Sequence, residues 1–135
     1  MEEKPLRVLI VSDSEDDVLL LIDELMQAGY TPHHERVDTT SAMLSALQAH
    51  SWDIILSSCR FRNFTCLQAL ELLKQEGIDT PFIIVSPAIS EEMAIEALNA
   101  GAHDCVKNRR RLIPTIEREL RTAAMRREHK QTEEE

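Results

Sequence analysis

Short apolar runs that stop abruptly at hydroxyl side chains set the architecture of this sequence. Leu6-Arg7-Val8-Leu9-Ile10-Val11 ends at Ser12-Asp13-Ser14, Trp52-Asp53-Ile54-Ile55-Leu56 ends at Ser57-Ser58, and Pro81-Phe82-Ile83-Ile84-Val85 ends at Ser86. Such runs, rich in β-branched residues and mostly apolar without alternation, read as strands buried on both faces. Thr31 to Val37 is more polar and reads as an edge strand, and His103 to Val106 as a short fifth strand. Helical periodicity fills the intervals. Val18, Leu19, Leu21, Ile22, Leu25 and Met26 precede Gly29, and Met43, Leu44 and Leu47 follow a cap drawn from Asp38, Thr39 or Thr40. Thr65 caps a helix bearing Leu67, Leu70, Leu72 and Leu73 that closes at Gly77. Ser90 caps a fourth helix, with Glu91 and Glu92 in the first turn where the helix dipole favours acids, and Gly101 ends it. A last helix starts near Leu112 and carries Ile113, Ile116, Leu120 and Ala123 on one face.

A strand-helix unit repeated five times, with strands of this kind, predicts an α/β fold: a parallel sheet between two helix layers, joined by right-handed crossovers. The 135 residues suit one domain. We place it at residues 1–124. From Met125 the chain carries no apolar stripe, so 125–135 reads as a polar helical connector or a disordered tail.

Composition narrows the function. The net charge is −9 and aromatics make up 4%, which argues against a nucleic-acid-coating surface or base-stacking platforms. The amino end lacks a basic start followed by a long apolar stretch, and no run is long enough for a membrane span, so a cytoplasmic protein is expected. Cys59, Cys66 and Cys105 are odd in number and form no Cys-x-x-Cys; they read as small buried hydrophobes rather than a disulfide or zinc framework.

Ligands of an open parallel sheet sit beyond the carboxyl ends of its strands. Here that rim collects Ser12, Asp13, Ser58, Ser86 and Lys107, with Asn108-Arg109-Arg110-Arg111 following. Each has a plain structural reading beside the functional one. Asp13 reads first as a helix cap and second as a weak metal ligand. Ser58 reads as a polar loop start before a kinase target, and the basic run offsets nearby acids before it binds an anion. The His33-His34 pair reads as solvent-facing rather than metal-binding.

The ordered set Val8-Leu9-Ile10-Val11-Ser12-Asp13, Trp52-Asp53-Ile54-Ile55-Leu56-Ser57-Ser58, Phe82-Ile83-Ile84-Val85-Ser86 and Ala100-Gly101-Ala102-His103-Asp104 resembles the receiver domain of two-component response regulators across about residues 6 to 124. The resemblance implies a flavodoxin-like (βα)5 three-layer sandwich with strand order 2-1-3-4-5. It also implies a cleft in which an aspartate accepts a phosphoryl group from a histidine kinase with magnesium. This chain departs from that pattern. The acid pair at the end of strand one is reduced to Ser12-Asp13, and Ser58 stands at the phosphoacceptor position. Ser86 keeps the hydroxyl switch position, but Cys105 replaces the aromatic switch residue. By ungapped counting Asn108 falls at the lysine position, with Lys107 one place early, and Arg62 stands near the place of a common proline.

A serine hydroxyl is a weak nucleophile without a base, and magnesium seeks carboxylate oxygens. The expectation is therefore a degenerate receiver, or pseudo-receiver. It is not an enzyme, needs no cofactor, binds magnesium weakly at most through Asp13, and works by contact with a histidine kinase, an output domain or a second copy of itself. The resemblance implies the surface of the fourth helix, fifth strand and fifth helix as the contact face. The rival readings are a phosphoacceptor with a non-standard site, and nucleotide or nucleic-acid binding through the basic loop.

Overall fold

The computed structural model describes residues 4–58, 65–87 and 89–134. Cys59 and Arg62 lie outside the described residues. The elements run β1 (Lys4–Val11), α1 (Glu15–Gln27), β2 (Tyr30–Val37), α2 (Thr40–Ala49), β3 (Ile54–Ser57), α3 (Cys66–Glu76), β4 (Phe82–Val85), α4 (Glu91–Asn99), β5 (Asp104–Val106), a 3-10 turn (Arg109–Arg111) and α5 (Leu112–Glu134). The strands form one parallel sheet in the order β2-β1-β3-β4-β5. This is the expected flavodoxin-like sandwich.

Alternate strand residues feed two cores, because successive side chains leave a strand on opposite faces. Leu6, Val8, Ile10, Ile54, Leu56, Ile83 and Val106 pack beneath α1 and α5 with Val18, Leu21, Leu25, Leu112 and Ile116. Leu9, Val11, Ile55, Phe82 and Ile84 pack beneath α2, α3 and α4 with Met43, Leu47, Cys66, Leu70, Leu73 and Ala97. β2 lies at the sheet edge, and only Val37 of its eight residues is buried. Pro32 is tolerated there because an edge strand has a side with no ladder to complete.

Side chains fix where each helix starts. Thr39 accepts a hydrogen bond from the Ala42 N–H at 3.0 Å, Ser90 from the Met93 N–H at 3.1 Å, and Thr65 forms a reciprocal capping box with Gln68. Gly77 closes α3 in the left-handed conformation at φ 66°, which a β-carbon would strain.

Two expectations need correction. The cap of α1 is Ser14, whose hydroxyl accepts from the Asp17 N–H at 3.3 Å, and not Asp13. The helix starts one residue later than an Asp13 cap requires. Leu19 and Met26 are 64% and 60% exposed, so the buried stripe of α1 is narrower than its apolar pattern. They stand seven residues apart on one flank, and the sheet covers only the stripe of Val18, Leu21 and Leu25. On α5, Leu112, Ile116 and Ala123 are buried as expected, and the helix backbone continues without a break to Glu134. Among the described residues no helix is long and apolar enough to cross a membrane.

Candidate functional site at the carboxyl ends of the strands

The carboxyl rim is finished by backbone. Three strands, β1, β3 and β4, continue their ladder one residue past their ends: Ser12 N–H donates to Val37 O (3.0 Å), Ser58 N–H to Val11 O (2.9 Å) and Ser86 N–H to Val106 O (3.0 Å). The main chain is thereby satisfied, and the side chains are left to define a site.

The serine side chains there are neutral, and those of Ser12 and Ser57 are turned on their own backbone. Ser12 is buried; its hydroxyl accepts from the Ser14 N–H at 3.1 Å and so belongs to its own turn. The Ser57 hydroxyl, also buried, donates to the Ser58 carbonyl at 2.7 Å. Ser58 is half-buried and Asp13 is exposed. Arg36, the next-to-last residue of β2, adds a cation that sequence reading did not single out. Its Nη1 donates to the Ser12 carbonyl at 3.2 Å and to Asp38 at 3.3 Å, and Nη2 lies 3.8 Å from Glu15. A guanidinium thus ties the end of β1 to the end of β2 and the start of α1.

A cavity of about 600 Å³ opens on the α1 side of this rim. Of the expected residues it gathers Ser12, Ser58 and Lys107; Asp13, Ser86 and Cys105 are not in its wall. Lys107 therefore reaches the cleft, and Asn108 lines it as well. Sequence reading did not bring Leu20 and Leu21 to this wall, which they share with Asp17. The signal was present: positions 17, 20 and 21 share one helix face by i, i+3 and i+4 spacing. Cys105 points to the other face of the sheet, half-buried, with its sulfur 4.0 Å from the Ala94 carbonyl.

The amino rim holds the other polar cluster. A hollow of about 850 Å³ is lined there by His33, His34, His50 and Asp53 among others. His33 and His34 are exposed, as expected. Among the described residues no group of three or more His, Cys, Asp or Glu is arranged to hold a metal ion.

Comparison with known proteins agrees with the geometry. Residues 8–115 match the response regulator receiver domain family. The chain is 31% identical over 127 residues to the nitrogen assimilation regulatory protein NtrX of Azorhizobium caulinodans, covering 90% of this chain and 27% of that protein. It thus spans about a quarter of that relative's length. Among solved structures it is similar to the receiver domain of Francisella response regulator 1452, with TM-score 0.75 and 21% identity over 87% of this chain and 98% of that one. It is also similar to the receiver domain of a sensor histidine kinase of Pseudomonas aeruginosa, described with magnesium coordinated in its active-site cleft. There the TM-score is 0.70 and the identity 18%, over 86% of this chain and 98% of that one.

Proposed function

The chain belongs to the response regulator receiver domain family, and from that premise we propose that it is a pseudo-receiver: a cytoplasmic signalling module of a two-component system that acts by protein contact and does not accept a phosphoryl group. One observation carries the reading. Ser58, at the end of β3, offers a neutral hydroxyl where the family's chemistry needs an ionised carboxylate. No histidine stands at the carboxyl ends of the strands to serve as its base.

The donor set does not fit the family's magnesium ion. Magnesium favours an octahedron of oxygens with one or two carboxylates. The Ser12 hydroxyl is held within its turn, the acid pair is reduced to Asp13, and the Arg36 guanidinium already bonds the Ser12 carbonyl. A carboxylate cluster stores like-charge repulsion that a cation relieves; these serines store none. We infer that the cleft rests in one state without metal, and that Cys105 has no ring to couple Ser86 to the outer surface.

The partner is a histidine kinase or an output domain, with a homodimer as a compatible state. The α4 face supports this, because Ile95 and Leu98 are 60% and 44% exposed on it. Unfolding with and without magnesium tests the reading. We expect no change. Stabilisation by more than about 1 kcal/mol at millimolar ion would mean that a built metal site is present.

A further inference from the structure

Two opposite charges line the same cavity without meeting. Lys107 stands on the β5 wall and Asp17 on the α1 wall. Neither side chain has an ion-pair partner among the described residues, and they do not pair with each other. Beside Lys107, the Asn108 side-chain carbonyl accepts from the Arg110 N–H at 3.0 Å, which leaves its amide N–H groups as donors. One wall therefore offers a cation with amide donors beside it, and the other a carboxylate.

The surface between them is apolar. Ile10, Leu20, Leu21, Val85 and Pro87 line it, and Leu20 is 43% exposed. Of the serines beneath, the Ser12 and Ser57 hydroxyls are held by their own turns, and Ser58 adds a neutral hydroxyl to the floor. A cavity of about 600 Å³ falls within the range that holds small molecules. It has no aromatic side chain among its described lining residues to stack a base, which disfavours a nucleotide.

We propose that this cavity binds a small zwitterion with an aliphatic body: carboxylate toward Lys107 and Asn108, ammonium toward Asp17, methylenes over Leu20 and Val85. Binding joins two charges that the fold holds apart and covers exposed apolar surface. The occupant rests on the reading of the cleft as inert to phosphoryl transfer. A covalent phosphoryl adduct would defeat that reading, whereas the ligand result stands or falls by itself.

The test is a titration of the full chain followed by backbone amide NMR, with aminocaproate, caproate and hexylamine as probes. Aminocaproate is expected to shift the Leu20, Ser58 and Asn108 amides at millimolar concentration. Caproate and hexylamine, each lacking one charge, should bind about threefold more weakly, as exposed ion pairs allow. Lys107→Gln should erase the advantage of aminocaproate over hexylamine, and Asp17→Asn its advantage over caproate. Equal binding of all three probes, shifts mapping to His33 and His50 instead, or no shifts with any probe would overturn the proposal.

Discussion

The two rims of the sheet use polar residues in opposite ways. At the amino rim, side chains finish the backbone ladder. The Arg7 N–H donates to the Asp53 carboxylate at 2.8 Å, and the Phe82 N–H donates to His103 Nδ1 at 3.0 Å. At the carboxyl rim, backbone finishes the ladder through Ser12, Ser58 and Ser86, and side chains are released. Polar groups of the first kind are structural, because removing one strands a main-chain donor. Those of the second kind stand outside the ladder, and here Ser12, Ser58 and Ser86 are neutral.

Unequal mutational costs should sharpen this comparison. His103→Ala should cost about 1–3 kcal/mol, since it leaves the Phe82 N–H unpaired near the core. Asp53→Ala, at a more exposed bond, should cost about 1 kcal/mol. Chemical denaturation of both variants measures these losses. By contrast, Ser58→Ala should stay within about 0.5 kcal/mol of the parent. A Ser58→Ala loss as large as that of His103→Ala would break the distinction between the rims.

Acid should expose the same asymmetry. Burial is the main force lowering the His103 pKa from its ordinary 6.5; Arg126 also lowers it, while Glu119 and Asp79 push the other way. Its Nδ1 accepts a hydrogen bond, so protonation there would break the link to Phe82. The unfolded chain then binds the proton more readily than the folded one. Stability is full above about pH 6.5 and falls as the pH drops below that value toward the lower folded pKa. This part of the slope should vanish in His103→Ala, as denaturation midpoints across pH would reveal.

A small effect is also expected at Arg36. Arg36→Met removes surface-screened ion pairs to Glu15 and Asp38, worth about 1 kcal/mol or less together. It should show mainly as faster amide hydrogen exchange around Ser14, where the guanidinium ties down the turn through the Ser12 carbonyl.

The strands, their burial and most helix caps were legible because each is written locally. A short β-branched apolar run ending at Ser57 and Ser58 reads as a buried strand with a polar exit, and Thr65 with Gln68 three residues later marks the next helix start. Ser14 was harder, since Asp13 beside it caps helices equally well and only backbone geometry chooses between them. The exposure of Leu19 was not legible, because periodicity does not say how wide a stripe the sheet will cover. The pairings Arg7 with Asp53 and Phe82 with His103 join residues far apart in sequence, and no local pattern announces them. Arg36 was missed for the same reason: its partners Ser12 and Glu15 become neighbours only when β2 docks beside β1. In the cleft, the neutral serines were readable one by one, but the α1 wall beside them needed the fold.

The most direct test is intact-mass spectrometry of the chain after incubation with acetyl phosphate and magnesium. An unchanged mass is the expected result, since Ser58 presents an alcohol at the end of β3. A gain of one phosphoryl group, localised to Ser58 or to Asp13, would contradict it.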